Sequence, residues 1–210
     1  MKRTTTINPF EQTAVAYEQW FQEFDKIRET EIRAIRRFYD PGLKTVEIGA
    51  GTGVFTQALG TELGVEPADA MADIAKAKGL HIIKGTAESI PLPDDSYEQA
   101  TMITVDCFLN DVPASFREIN RILTKDGIFI IAFLNLATEI GQIYEDTKEM
   151  DENYRYAAFN TADEIRSMLT DAGFNIVDSC QTIFELANVD QEIREGDGDG
   201  VFTIYKTIKA

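Results

Sequence analysis

Residues 46–55 read VEIGAGTGVF: an apolar run patterned like a strand, then Gly49, Gly51 and Gly53, then the first apolar positions of a helix. Glycine is poor material for either element because it surrenders more chain entropy than other residues. Three at alternate positions mark a strand-to-helix turn whose backbone something must approach closely. In an open α/β sheet this turn lies beyond the carboxyl end of the first strand, where ligands bind and a helix N-terminus faces them. The dinucleotide fingerprint G-x-G-x-x-G needs a glycine at position 54, which is Val54, so the spacing is G-x-G-x-G. Glu47, two residues before Gly49, would oppose a pyrophosphate but suit an ammonium or a sulfonium. The turn therefore favours a cationic cofactor.

Working outward, strand-like and helical runs alternate. Strands are expected over 44–49, 61–66, 81–85, 98–105, 127–134, 175–184 and 201–209, with helices over 53–59, 68–78, 113–123 and 161–172. Thr161 is the expected cap of the last helix and Gly173 its stop. Ahead of these, Phe10 through Phe38 recurs near helical spacing as one long helix or two joined ones, with Asn8-Pro9 as cap and first turn. Such alternation implies a doubly wound, mainly parallel sheet of seven strands whose last strand is antiparallel. We expect one domain over 1–210: a helical lid (1–42), a cofactor-binding core (43–135), a lid or linker (136–160), and a closing helix with a strand pair (161–210).

The 210 residues, 44% hydrophobic, suffice for one core, and a net charge of -16 disfavours nucleic acid and anionic membranes. Arg33, Arg36 and Arg37 read as a solvated helix face. The start, MKRTTTINPFEQ, has no apolar stretch after its basic residues, and no run approaches membrane-spanning length, so a cytoplasmic protein is expected. Cys107 and Cys180 lack metal or redox spacing and read as small buried hydrophobes, and no metal site is expected. REGDGDG at 194–200 lacks a calcium-loop pattern and reads as a hairpin connection. The sole histidine, His81, opens the third strand, away from the expected centre.

From residue 43 to 135 the chain resembles the class I S-adenosylmethionine-dependent methyltransferases, in particular the type 11, ubiquinone-biosynthesis-like family. VEIGAGTG matches the first motif; GVEPADAMADIAKAKG (64–79) resembles the second, KGTAESIPLPDDSYE (84–98) the third, and FREINRILTKDGIFIIAFLN (116–135) the helix and strand after the active-site strand. The resemblance implies S-adenosyl-L-methionine as cofactor, leaving as S-adenosyl-L-homocysteine. It places Glu47, Gly49, Ala50, Gly51, Thr52 and Gly53 around the methionine tail. Glu66 falls on the ribose hydroxyls beside Pro67, Met71 near the adenine, and Thr86, Ala87 and Glu88 at the adenine edge. Either Thr86 or Glu88 would meet the amino group, and Met71 reads equally as core.

A carboxylate at the tip of the second strand can accept two ribose O–H bonds, stronger for being charge-assisted. The same resemblance implies that the fourth strand, ATMITVDCFLND, ends at the transferred methyl, with Thr104 and Cys107 against the cofactor, Phe108 toward the acceptor, and Asp106 as the candidate catalytic group lining the reaction centre. Asp106 reads alternatively as a loop or capping acid. Methyl transfer is an in-line displacement that disperses charge, so alignment and exclusion of water matter most and a base is optional. Tyr17, Trp20 and Phe21 before the core, with Tyr154 and Tyr156 after it, are candidates for an aromatic lid over a small-molecule acceptor. Two other classes remain: a nucleotide-dependent oxidoreductase, disfavoured by Val54, and a non-catalytic partner module. A monomer or homodimer is expected.

Overall fold

The computed structural model describes residues 9–210. Its sheet grows from strands β1 (Thr45–Ile48), β2 (Leu63–Glu66), β3 (Ile82–Lys84), β4 (Tyr97–Ile103), β5 (Leu123–Leu134), β6 (Phe174–Thr182), β7 (Arg194–Glu195) and β8 (Phe202–Lys209), in the spatial order β3-β2-β1-β4-β5-β8-β6-β7. The first five run parallel, and β8 runs antiparallel to both neighbours, β5 and β6. The sheet is thus mainly parallel, as expected, with eight strands rather than seven. The eighth, β7, is a two-residue edge inside the stretch expected to be a plain connection, where Cys180 pairs with Glu195 and Gln181 with Arg194. It is too short to leave any alternation in the sequence.

Helices cover both faces. On one, α5 (Val112–Ile122) and α7 (Ala162–Asp171) bury Phe116, Ile119, Ile165 and Leu169 against Phe129, Ile131 and Phe133 of β5. On the other, α2 (Asp25–Ile35), α3 (Val54–Leu59) and α6 (Glu139–Thr147) meet Ile130, Ala132 and Leu134 of the same strand. Both sets of alternating side chains are buried, which is why β5 reads as a continuous apolar run. The expected capping of α7 is present as a reciprocal box between Thr161 and Glu164.

The N-terminal segment forms two helices, α1 (Phe10–Glu23) and α2, broken at Phe24. Asn8, the expected cap, lies outside the described residues. The segment 136–160 contains α6, capped by Thr138, where a linker was expected. The chain also passes from α5 into β5 without a loop, so that β5 begins four residues earlier than its apolar run, and Asp126 takes a φ of 61° within it. No helix of the described residues is long and apolar enough to cross a membrane.

Strand order reverses between β1 and β4, which are neighbours although β2 and β3 intervene in sequence. The carboxyl ends of β1, β2 and β4 therefore open a crevice at the switch point. Helix α4 (Asp69–Ala77) follows β2 there, and α1 packs against it.

Candidate active site

A cavity of about 720 Å³ occupies that crevice, floored by Gly49, Gly51, Glu66 and Thr104 at the strand ends. The three glycines of the turn all have positive φ: 77° at Gly49, 55° at Gly51 and 80° at Gly53. They are glycine for different reasons. A Cβ on Gly49 would collide with Val105, and one on Gly53 with Leu80, so protein packing excludes both. At Gly51 an added Cβ meets nothing nearer than the Tyr17 ring, at 3.8 Å, because this glycine faces the cavity.

Glu66 ties the turn to β2. One carboxylate oxygen accepts from the Gly51 N–H at 2.8 Å and the other from the Ala68 N–H at 2.9 Å, each leaving lone-pair capacity toward the cavity. Burial raises its pKa against those two bonds. Met71 and Ala87, both buried, and Pro67, Thr86 and Glu88 continue the wall on this side. Asn110 donates its backbone N–H to Glu88 at 3.0 Å, linking the third motif to the segment after β4.

Other expected site residues lie behind the wall rather than in it. Ala50, Thr52 and Gly53 are buried in the turn, and the Thr52 hydroxyl has no partner there. Glu47 sits in mid-strand and points to the α3 face, where Thr56 donates to it at 2.7 Å. Burial pushes its pKa up to about 8, so the expected anion beside the cofactor is a largely protonated group under the floor. The short turn Asp106–Phe108 directs Phe108 into the cavity and Asp106 inward. The Asn160 amide donates to one Asp106 oxygen at 2.8 Å while the other is buried without a partner, and burial pushes the pKa up to about 6. Asp106 caps no helix; Asp111 does that for α5. Cys107 is likewise buried behind the wall, and both cysteines are thiols rather than a disulfide. His81 is exposed at the start of β3.

The aromatic residues expected in the lid all line the cavity, Tyr17, Trp20 and Phe21 from α1 with Tyr154 and Tyr156, and so does Phe108, expected toward the acceptor. The two lid segments meet through rings, with Phe10 edge-on to Phe108 at 4.9 Å and Phe108 stacked on Tyr154 at 5.8 Å. Polar bonds fasten α1 to the core. Glu11 accepts from the Asp69 and Ala70 N–H groups at the start of α4, and Lys78 bridges Glu18 to the Thr52 carbonyl.

One wall residue escaped the sequence pattern. Glu31 of α2 is only 8% exposed and shares the cavity-facing side of the helix with Ile27, four residues earlier. Its signal was a carboxylate in the core register, between Ile27 and Ile35. Burial pushes its pKa up to about 8.

The donor set fits S-adenosylmethionine: a bare cradle at Gly51, a carboxylate at the tip of β2, an apolar slot at Met71 and Ala87, and no Lys, Arg or His on the described wall to repel a sulfonium. Comparisons with known proteins agree. The methyltransferase domain family model matches residues 46–131. An uncharacterised protein of Methanocaldococcus jannaschii is 33% identical over 97% of this chain and its own full length. A ubiquinone/menaquinone biosynthesis C-methyltransferase of Shewanella is 25% identical, covering 66% of this chain and 68% of that protein. The crystal structure of a SAM-dependent methyltransferase of Thermotoga maritima, described as a possible histamine N-methyltransferase, superposes with a TM-score of 0.92 at 34% identity, covering 96% of this chain and 98% of that one. A glycine cradle at the switch point of this sheet, with the Methanocaldococcus and Thermotoga relatives spanning nearly the whole chain, makes it a member of the type 11 family of class I S-adenosylmethionine-dependent methyltransferases.

Proposed function

We propose that the protein methylates a small-molecule acceptor held under the aromatic lid, with S-adenosylmethionine lying across Gly51. What carries this is the continuity of one cavity from Glu66, Met71 and Ala87 to Tyr17, Trp20, Phe21 and Tyr154. A cofactor at one end and an acceptor at the other would then share a single enclosed space.

When bound, S-adenosylmethionine supplies an electrophilic methyl group on a sulfonium. Glu66 accepts from the ribose hydroxyls, and the Gly51 backbone lets the methionine tail lie close to the turn. Met71 and Ala87 enclose the adenine, with Glu88 rather than exposed Thr86 nearest in chemistry to an acceptor for its amino group. Thr104, held at a φ of 53° directly after β4, lines the cavity beside the glycine turn's Gly49 and Gly51. Phe108 and the lid rings exclude water, which strengthens every electrostatic contact inside. The description of the Thermotoga neighbour names an amine, histamine, and an acidic wall suits a basic acceptor here too.

Calorimetric titration with S-adenosylhomocysteine and with NAD tests the assignment. Binding of the first and not the second is expected; binding of NAD alone would point to an oxidoreductase. Formation of S-adenosylhomocysteine from S-adenosylmethionine in the presence of a pool of small metabolites separates an enzyme from a cofactor-binding module.

A further inference from the structure

Glu31 is the least explained group in the cavity. Its carboxyl makes no hydrogen bond or ion pair with any described residue, and burial alone accounts for its raised pKa. A buried carboxyl left without partners is costly, and most such groups are satisfied. The titratable groups around it are tyrosines from each packed element: Tyr17 of α1, Tyr144 of α6 and Tyr154 beyond it. Burial first, and the Glu31 charge after it, raise the pKa of the Tyr17 and Tyr144 hydroxyls, and Glu31 acts in the same sense on Tyr154. The other charged side chains on the wall, Glu66, Glu88 and Asp151, are acids as well. An anionic wall roofed by electron-rich rings is a receptor for a cation, since ring faces attract organic ammonium ions.

We propose that Glu31 seats the acceptor, an organic ammonium ion, and takes the proton that its nitrogen must lose. This rests on the methyl-transfer reading of the same cavity. In the empty cavity the carboxyl is largely protonated, and an ammonium ion displaces that proton to form an ion pair. For reaction, one N–H bond breaks and its proton passes to a Glu31 oxygen. The freed lone pair forms the N–CH3 bond, and the electrons of the S–CH3 bond remain on sulfur. The product leaves as an N-methylammonium ion, and Glu31 returns its proton to solvent. A carboxylate whose basicity is raised by burial is better suited to this than an exposed one.

The test uses the full chain saturated with S-adenosylhomocysteine, titrated with propylamine, 2-phenylethylamine and tryptamine against propanol, 2-phenylethanol and tryptophol. At least one amine should bind roughly tenfold or more tightly than its alcohol, the range set by one charge-assisted hydrogen bond. Glu31→Gln should erase that preference while leaving S-adenosylhomocysteine affinity unchanged, and Glu31→Asp should restore part of it. No amine preference in the parent protein, or the same preference in Glu31→Gln, overturns the proposal. Should Glu31→Gln fail to fold, the parent comparison still decides against the proposal when it shows no preference, and Glu31→Asp supplies the second variant. Failure of the parent to bind S-adenosylhomocysteine overturns the methyl-transfer reading instead; the amine and alcohol series, run on the protein alone, still reads Glu31.

Discussion

The Glu66 carboxylate accepts from the Gly51 backbone N–H at 2.8 Å, so the tip of β2 and the glycine turn after β1 are one unit. A residue proposed to hold the ribose therefore also shapes the cradle for the methionine tail.

Replacing Glu66 by alanine should weaken S-adenosylhomocysteine binding by about 1 to 3 kcal/mol, through the ribose bonds and the loosened turn together. Glu66→Gln, which keeps an acceptor for one backbone N–H, should lose less. Calorimetry on the two variants checks this, and equal affinity in Glu66→Ala and the parent would remove Glu66 from the site.

The three turn glycines should respond differently to alanine. Gly51→Ala incurs a left-handed backbone strain of about 1 to 2 kcal/mol but no collision, so it should fold and bind cofactor at least roughly tenfold more weakly. Gly49→Ala and Gly53→Ala drive a methyl into Val105 and Leu80, and should lower the melting temperature further. Thermal unfolding alongside cofactor titration separates the cases; full affinity in Gly51→Ala would show that nothing approaches that backbone.

Glu47 should make stability fall as pH rises. Its pKa is about 8 in the folded chain against an ordinary 4.5. Between those values the native state retains a proton that the unfolded chain has released, so stability declines from about pH 4.5 to about pH 8 and is insensitive to Glu47 below that window. Glu31 contributes with the same sign. Glu47→Gln keeps an acceptor for Thr56 and should be more stable than the parent at pH 8 than at pH 5. Urea melts at both values measure it, and parallel losses in parent and variant would contradict it.

Glu11 caps the start of α4 from α1, accepting from Asp69 and Ala70 at 2.8 and 3.1 Å. Cutting that tie with Glu11→Ala should loosen the lid by about 0.5 to 2 kcal/mol, as for other lost helix caps. Trp20 is the single tryptophan, lines the cavity and stacks on Phe24, so its emission reports occupancy. Stopped-flow mixing with S-adenosylhomocysteine should show faster association and faster release in the variant.

Strand and helix alternation was readable because burial on two faces leaves continuous apolar runs such as 129–134, and because Thr161 and Gly173 punctuate α7. What the pattern concealed follows from geometry. Strand β1 ends at Ile48, so Glu47 lies inside it with its side chain held by Thr56 of α3, whereas Gly49, two residues on, has already left the strand for the turn that floors the cavity. One tight turn after β4 likewise decides that Phe108 looks in while Asp106 looks toward Asn160. Glu31 was concealed by its place among apolar residues on α2, where an acid reads as an interruption of the stripe. Helix α6 was missed because it is short and its polar face dominates residues 139–147.

The family model matches residues 46–131, whereas Glu31, the α1 rings and Tyr154 all lie outside it. On the proposed reading, grip on the donor falls within that stretch, whereas most of the acceptor's surroundings, Phe108 apart, come from the two flanks. Transplanting 1–42 and 136–160 from a relative should swap which compound is modified without retuning the cradle, and descent within this lineage can diversify chemistry by editing its two flanks.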